Sequence, residues 1–148
     1  MSELVEKALR DAFPDAVVET KDVHGVTNIK ISPSVLVKVC EMLKSNPELK
    51  FNYLGDITAI DWEDRIEVVY NLVSIPEKRR VALRVDLDRD KPQIDSVTGV
   101  WKGAEFQERE AYDLMGVVFN NHPDLRRILL PGDWEGHPLR KDYVIPED

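Results

Sequence analysis

Apolar residues at Leu4, Val5, Ala8, Leu9, Ala12 and Phe13 recur at helical spacing, with Ser2 placed to cap the start and Pro14 to end the run. Val17-Val18 and residues 27–31 then read as two strands around a His24-Gly25 turn. Ser32 as a capping residue followed by Pro33 predicts the start of a second helix, because proline at the first helical position gives up only an amide that has no helical partner. Leu36, Val39, Cys40 and Leu43 form its apolar stripe, and Asn46-Pro47 stops it.

Three strands are expected next. Residues 51–60 are irregular, with Gly55 marking a bulge. Residues 66–75 are apolar on both faces, as in a central strand. Val81, Leu83, Val85 and Leu87 alternate with Ala82, Arg84, Asp86 and Asp88, the pattern of a half-exposed strand. The order helix, two strands, helix, three strands, with the strands closely spaced, predicts hairpins. The fold class is therefore α+β, a mainly antiparallel sheet with helices on one face. A third helix is expected over residues 102–115, with Gly116 as its left-handed stop and Glu105 placed to pair with Arg109 one turn on.

After Gly116 the periodicity fades, so the chain divides into a domain over 1–116 and an extended tail over 117–148. The tail holds Pro123, Pro131, Pro138, Pro146, Gly132 and Gly136, yet it also carries Phe119, Leu125, Ile128, Leu129, Leu130, Trp134, Leu139, Tyr143, Val144 and Ile145. A disordered tail is poor in such side chains. A structureless stretch longer than about 12–15 residues is uncommon in a compact domain unless it is functional or disordered. The tail is therefore expected to lie largely on another protein.

Composition narrows the function classes. The 148 residues suit one domain, 43% of them are hydrophobic, and the net charge of -8 is spread along the chain. An acidic chain whose basic clusters stop at Lys78-Arg79-Arg80 and Arg126-Arg127 speaks against nucleic acid and anionic membrane surfaces. The single cysteine, Cys40, excludes an internal disulfide framework and makes a thiolate-held iron–sulfur cluster or zinc unexpected. The N-terminus lacks the basic start and apolar stretch of a signal peptide, and no apolar run approaches the roughly 20 residues of a membrane span. Membrane attachment is expected only through a partner.

Little of the sequence favours catalysis. His24 falls in a turn, while His122 and His137 each precede a proline in the tail, where ordinary hydrogen bonding is expected rather than metal ligation with Asp124 or Asp133. Glu108, Arg109 and Glu110 are consecutive on a helix, so their side chains diverge by about 100° and do not form a paired acid and base. Cys40 reads as a core residue, and neither a nucleophile elbow nor a phosphate loop is found. Trp134, Arg140 and Tyr143, by contrast, have the chemistry of interface anchors.

One stretch is distinctive: Glu108-Arg109-Glu110-Ala111-Tyr112-Asp113-Leu114-Met115-Gly116-Val117-Val118-Phe119, then His122-Pro123-Asp124-Leu125-Arg126-Arg127-Ile128-Leu129, then Asp133-Trp134-Glu135-Gly136-His137-Pro138-Leu139-Arg140-Lys141-Asp142-Tyr143. It closely resembles the signature of the complex I 30-kDa subunit family, the C-type subunits of NADH-quinone oxidoreductase. The resemblance covers the last quarter of the chain nearly position by position, and the earlier residues fit the family's α+β domain in size and element order.

The resemblance implies a cofactor-free scaffold subunit in the peripheral arm, on the cytoplasmic face of the cell inner membrane. It implies that the tail wraps the 49-kDa-type subunit, which helps form the quinone pocket, near iron–sulfur subunits. Iron–sulfur clusters and FMN would then sit on other subunits. The partner-binding positions it implies are Glu108, Arg109, Glu110, Tyr112, Asp113, Gly116, Phe119, His122, Pro123, Leu125, Arg127, Asp133, Trp134, Gly136, Pro138, Leu139, Arg140, Lys141, Asp142 and Tyr143. From their charge, Arg127, Arg140 and Lys141 are expected to pair with partner carboxylates. Many bacterial members continue past the Arg-Lys-Asp motif, whereas this sequence stops at Asp148. Similar short chains occur in membrane-bound hydrogenases and in F420H2- or ferredoxin-linked complexes, and an assembly adaptor that leaves the mature complex is the further alternative.

Overall fold

The polar and apolar alternation sets a sheet with one dry face. In the computed structural model, which describes residues 3–144, the elements run α1 (Glu3–Ala12), β1 (Val17–Val23), β2 (Val26–Ile31), a short 3-10 turn (Pro33–Val35), α2 (Leu36–Ser45), β3 (Tyr53–Asp61), β4 (Ile66–Ser74), β5 (Arg79–Leu87), β6 (Gln93–Asp95), α3 (Ala104–Met115) and β7 (Val118–Asn120). Ser2, expected to cap α1, and Ile145 and Pro146 of the tail lie outside the described residues.

Five strands pair in the order β1-β2-β5-β4-β3. Every neighbouring pair is antiparallel except β2 with β5, which run parallel because α2 and the β3–β4 hairpin intervene between them in the chain. The register sets Val68 opposite Val85, Tyr70 opposite Leu83 and Leu72 opposite Val81, while Ile29 faces Leu83 from β2. These side chains share one face, and Val5 and Leu9 of α1, Leu36, Val39, Cys40 and Leu43 of α2, and Ala104, Ala111 and Met115 of α3 close over it as one core. All three helices therefore cover the same side. Burying each large aliphatic side chain contributes about 1.5–3 kcal/mol, so this layer holds the domain together.

The opposite face carries charge. Glu67 is buried there under Lys30, Arg84 and Trp62, accepting from Arg84 at 2.8 Å and from the Trp62 indole at 3.1 Å. The bulge expected at Gly55 is present as a register shift between Leu54 and Asp56.

Three local expectations are corrected. Ser32 makes no side-chain cap, and the Pro33–Val35 turn feeds α2 instead. Arg109 does not bond Glu105: its guanidinium donates to backbone carbonyls of the tail. The stretch after Gly116 is not free of regular structure, because β7 pairs in parallel with the short β6, setting Ile94 beside Phe119. Three-residue strands carry too little alternation to register in sequence.

Candidate partner-binding site

The candidate site is α3 together with the tail it carries. Gly116 ends α3 at φ +77°, and a Cβ there would lie 2.8 Å from Cδ2 of His137. The chain turns away at this point, and Val117 and Phe119 enter the core. From residue 121 the tail folds back along α3 and is fastened mostly by polar atoms.

Asp113 is the centre of the first fastening. One carboxylate oxygen accepts the Arg127 guanidinium at 2.6 Å. The other accepts three successive amides, from Ile128 at 3.1 Å, Leu129 at 2.7 Å and Leu130 at 3.0 Å. Burial pushes this carboxyl up, but Arg127 and the three amides outweigh burial and hold it below its ordinary range. Arg127 also donates to the carbonyl of Gly136 at 2.6 Å, and His137 Nδ1–H donates to the carbonyl of Asp113 at 2.9 Å. Gly136 sits at φ +85° with the Tyr143 ring where its Cβ would be, so the two glycines let aromatic rings seat against the backbone. Tyr112 packs its ring 5.9 Å from that of His137.

Glu108 and Arg109 work from adjacent helix positions in opposite directions. Glu108 is fully buried and accepts from the Ser96 hydroxyl at 2.6 Å and the Val97 amide at 2.8 Å. Burial raises its pKa. Arg109 donates to the carbonyls of Arg126 and Arg127 at 3.1 Å each. One residue thus ties α3 to the domain and the next ties the tail to α3. His122 donates from Nε2 to the Glu105 carbonyl and accepts the Asp124 amide on Nδ1, so both tail histidines serve the backbone.

A second fastening joins the far end of the tail to the sheet. Asp61, at the end of β3, accepts Arg89 on both oxygens at 2.9 Å and the Lys141 amide at 2.9 Å. The paired Arg89 bonds hold its carboxyl far below the ordinary range. Arg140 donates to the Arg89 carbonyl at 2.8 Å and pairs with Asp142, while Lys141 reaches Glu63 at 3.6 Å. Arg127, Arg140 and Lys141, expected to meet carboxylates of another protein, have carboxylates of this chain beside them.

The implied positions therefore separate. Glu108, Arg109, Asp113 and Phe119 are buried, and Leu125 packs against the core. Tyr112, Gly116, His122, Arg127, Pro138, Arg140 and Tyr143 are half-buried, whereas Glu110, Pro123, Asp133, Trp134, Gly136, Leu139, Lys141 and Asp142 are exposed. Leu129, Leu139 and Val144 keep 58%, 60% and 81% of their surface in solvent. Among the described residues no three His, Cys, Asp or Glu side chains are grouped to hold a metal ion, and no helix is long and apolar enough to cross a membrane. Sequence reasoning missed Asp61, Arg89 and Ser96. A period of two carried through β3 sets Asp61 on the same face as Ile57 and Ala59, and an acid on a dry face was the available signal.

Comparisons with known proteins identify the family. The C-type subunit of NADH-quinone oxidoreductase from Geobacter metallireducens is 48% identical over 141 residues, spanning 93% of this chain and 86% of that protein. The protein of the same name from Roseiflexus sp. strain RS-1 is 43% identical over 144 residues, or 95% and 83% of the two chains. Among solved structures, the trypsin-resistant fragment (1-134) of Nqo5 superposes with a TM-score of 0.71 at 31% identity, covering 82% of this chain and 98% of its own. A chain of the membrane-bound sulfane sulfur reductase, an archaeal respiratory membrane complex, superposes at 0.80 with 25% identity over 97% of this chain and 85% of its own. The family profile described as respiratory-chain NADH dehydrogenase, 30 Kd subunit, matches residues 29–148, and the chain belongs to that family of complex I subunits.

Proposed function

We propose that this chain is a non-catalytic, cofactor-free scaffold subunit in the peripheral arm of a complex I-type NADH-quinone oxidoreductase. It sits on the cytoplasmic face of the inner membrane and docks on the 49-kDa-type, quinone-site subunit beside iron–sulfur subunits. Its contribution is to support electron transfer to quinone, coupled to ion translocation, on clusters and FMN carried by other subunits. The 1–116 domain is the base and the 117–148 tail is the docking arm.

One observation carries this reading. The tail's polar groups bond within the chain, while Leu129, Trp134, Leu139 and Val144 face water. Leaving a large apolar side chain exposed forgoes about 1.5–3 kcal/mol, and a partner surface recovers it. Trp134 has the chemistry of an interface anchor. The buried motif residues Glu108, Arg109 and Asp113 serve by holding the arm in shape.

Affinity purification from detergent-solubilised host membranes, read by mass spectrometry, tests the reading. The wild-type chain is expected to recover a 49-kDa-type subunit and iron–sulfur subunits, and Trp134→Ala to recover at least tenfold less while its melting temperature stays put. Recovery of the wild-type chain alone would sink the scaffold role. The 97% coverage by a chain of an archaeal respiratory membrane complex supports a second reading, the equivalent subunit of a complex not fed by NADH. Co-purifying flavin-dependent NADH subunits, or their replacement by another electron-input module, separates the two. Loss of the chain from the mature complex would instead identify an assembly adaptor.

A further inference from the structure

The second fastening lies outside the stretch that resembles the family signature on its domain side, since Asp61 ends β3 and Arg89 follows β5. Resting on the scaffold reading above, we infer that Asp61 and Arg89 form a cradle that positions the Arg140-Lys141-Asp142 segment, so that the tail meets its partner already shaped.

The geometry is that of a built receptor for backbone. The Asp61 side chain is 2% exposed at the last residue of β3, where its backbone pairs with Ile66 and its carboxylate faces inward. Arg89 fills it from one side with two parallel bonds of 2.9 Å, the planar fork that matches a carboxylate. The Glu63 amide takes Oδ1 at 2.9 Å, and the coordination left on Oδ2 is taken by the Lys141 amide, 80 residues away in sequence. Arg89 then turns its own carbonyl to the Arg140 guanidinium at 2.8 Å, and that side chain is only 13% exposed. Asp142 faces back on Arg89 at 3.9 Å. Both arginines of this cluster are thus satisfied by this chain, and Arg140 holds the tail rather than a partner carboxylate. With the first fastening at Asp113, the segment between residues 130 and 140 is held at both ends, and it contains Trp134 and Leu139 with their side chains outward.

Segments already ordered before binding lose less conformational freedom on docking, which strengthens association without any new contact. The cradle residues are therefore positioning residues that act through the tail.

The test uses the full chain and the purified 49-kDa-type subunit of the same host. Asp61→Asn removes the charge that holds Arg89. Lys141→Pro removes the amide that Asp61 accepts and leaves the domain untouched. Asp61→Asn is expected to speed trypsin cleavage after Arg140 about tenfold, and both variants to weaken capture of the 49-kDa-type subunit about tenfold, with Lys141→Arg as the reference that keeps both the amide and a cleavable neighbour. Because trypsin cuts poorly before proline, the Lys141→Pro chain is read by thermolysin cleavage around Leu139 instead. The double variant is expected to lose no more than either single one, because both act on one contact. An Asp61 that merely braced the sheet would give additive losses and leave cleavage at Arg140 unmoved, and that result overturns the cradle. Faster cleavage with unchanged capture overturns it equally. Failure of the wild-type chain to capture the 49-kDa-type protein at all overturns the scaffold reading instead, and the cleavage rates then judge the cradle alone.

Discussion

The sheet domain and the tail are held by opposite physics. In the domain, Tyr70, Leu83, Val85 and their neighbours are buried among apolar side chains, with Lys30, Glu67 and Arg84 on the far face of the sheet and Asp61 and Glu108 as the buried acids of the core side. In the tail, the fastening groups are carboxylates, guanidinia and backbone amides, and several of the large apolar side chains face outward. Apolar burial is indifferent to direction and scales with area, so it makes a cooperative body. Polar fastening is directional and local, so it can set the path of a segment while keeping that segment's apolar surface for another molecule. The tail is built to be shaped by its own chain and completed by a partner.

The contrast breaks most sharply if one body is damaged and the other does not notice. Leu83→Ala empties the centre of β5, where the side chain is fully buried opposite Tyr70. A buried leucine truncated to alanine loses about 2–5 kcal/mol. The expected outcome is a single cooperative transition at lower denaturant, with domain and tail lost together, measured by urea unfolding followed by circular dichroism for the sheet and by hydrogen exchange of residues 126–141 for the tail. A tail that stays protected through this transition would mean that it folds independently of the sheet.

Asp113→Ala is the converse, and smaller in reach. It strips Arg127 of its carboxylate and leaves the amides of Ile128, Leu129 and Leu130 without an acceptor. Charge-assisted bonds are worth about 1.5–3 kcal/mol each and are not additive. Hydrogen exchange read by mass spectrometry is expected to show residues 126–137 exchanging about a hundredfold faster, with β4 and β5 unchanged, since a factor of ten corresponds to about 1.4 kcal/mol. Equal loss of protection in the sheet would show that Asp113 belongs to the domain's cooperative unit.

How much of this could be read from the chain follows the same division. Leu36, Val39, Cys40 and Leu43, and the alternation through Val81 to Leu87, announced their elements, because apolar burial imposes a period and a period survives in sequence. The stop at Gly116 was legible because a left-handed backbone favours glycine, and the bulge at Gly55 because a Cβ there would crowd the Asn71 carbonyl at 3.2 Å. The fastenings of the tail were not. Asp113 binds residues 14 to 17 positions away and Asp61 binds one 80 away, and neither spacing has a period. The motif resemblance marked Asp113, Arg127 and Arg140 as partner-binding positions without giving the atoms they meet. Side-chain charge suggested carboxylates of another chain, and the fold sets acceptors of this chain beside both arginines.

Acid separates the two regions by sign. Asp61 and Asp113 both have carboxyls held below their ordinary range, the first chiefly by Arg89 and the second by Arg127 and the tail amides against the opposing pull of burial. A carboxylate lowered on folding contributes stability that is fully present above its unfolded value, about 3.9, and is lost as pH falls through the folded value. Glu108 is shifted the other way, raised by burial against the pull of Ser96, so its protonation on acidification favours the folded domain. The tail's protection is therefore expected to stay flat from about pH 8 to pH 5 and to decline below about pH 4. The segment around Ser96 and Val97, which Glu108 braces, is expected to outlast it. Hydrogen exchange of the 126–141 and 94–108 segments, corrected for intrinsic rates at each pH, measures both. Simultaneous loss would mean that the two fastenings hold the domain as much as the tail, and the division between an apolar body and a polar-laced arm would have to be redrawn at Glu108.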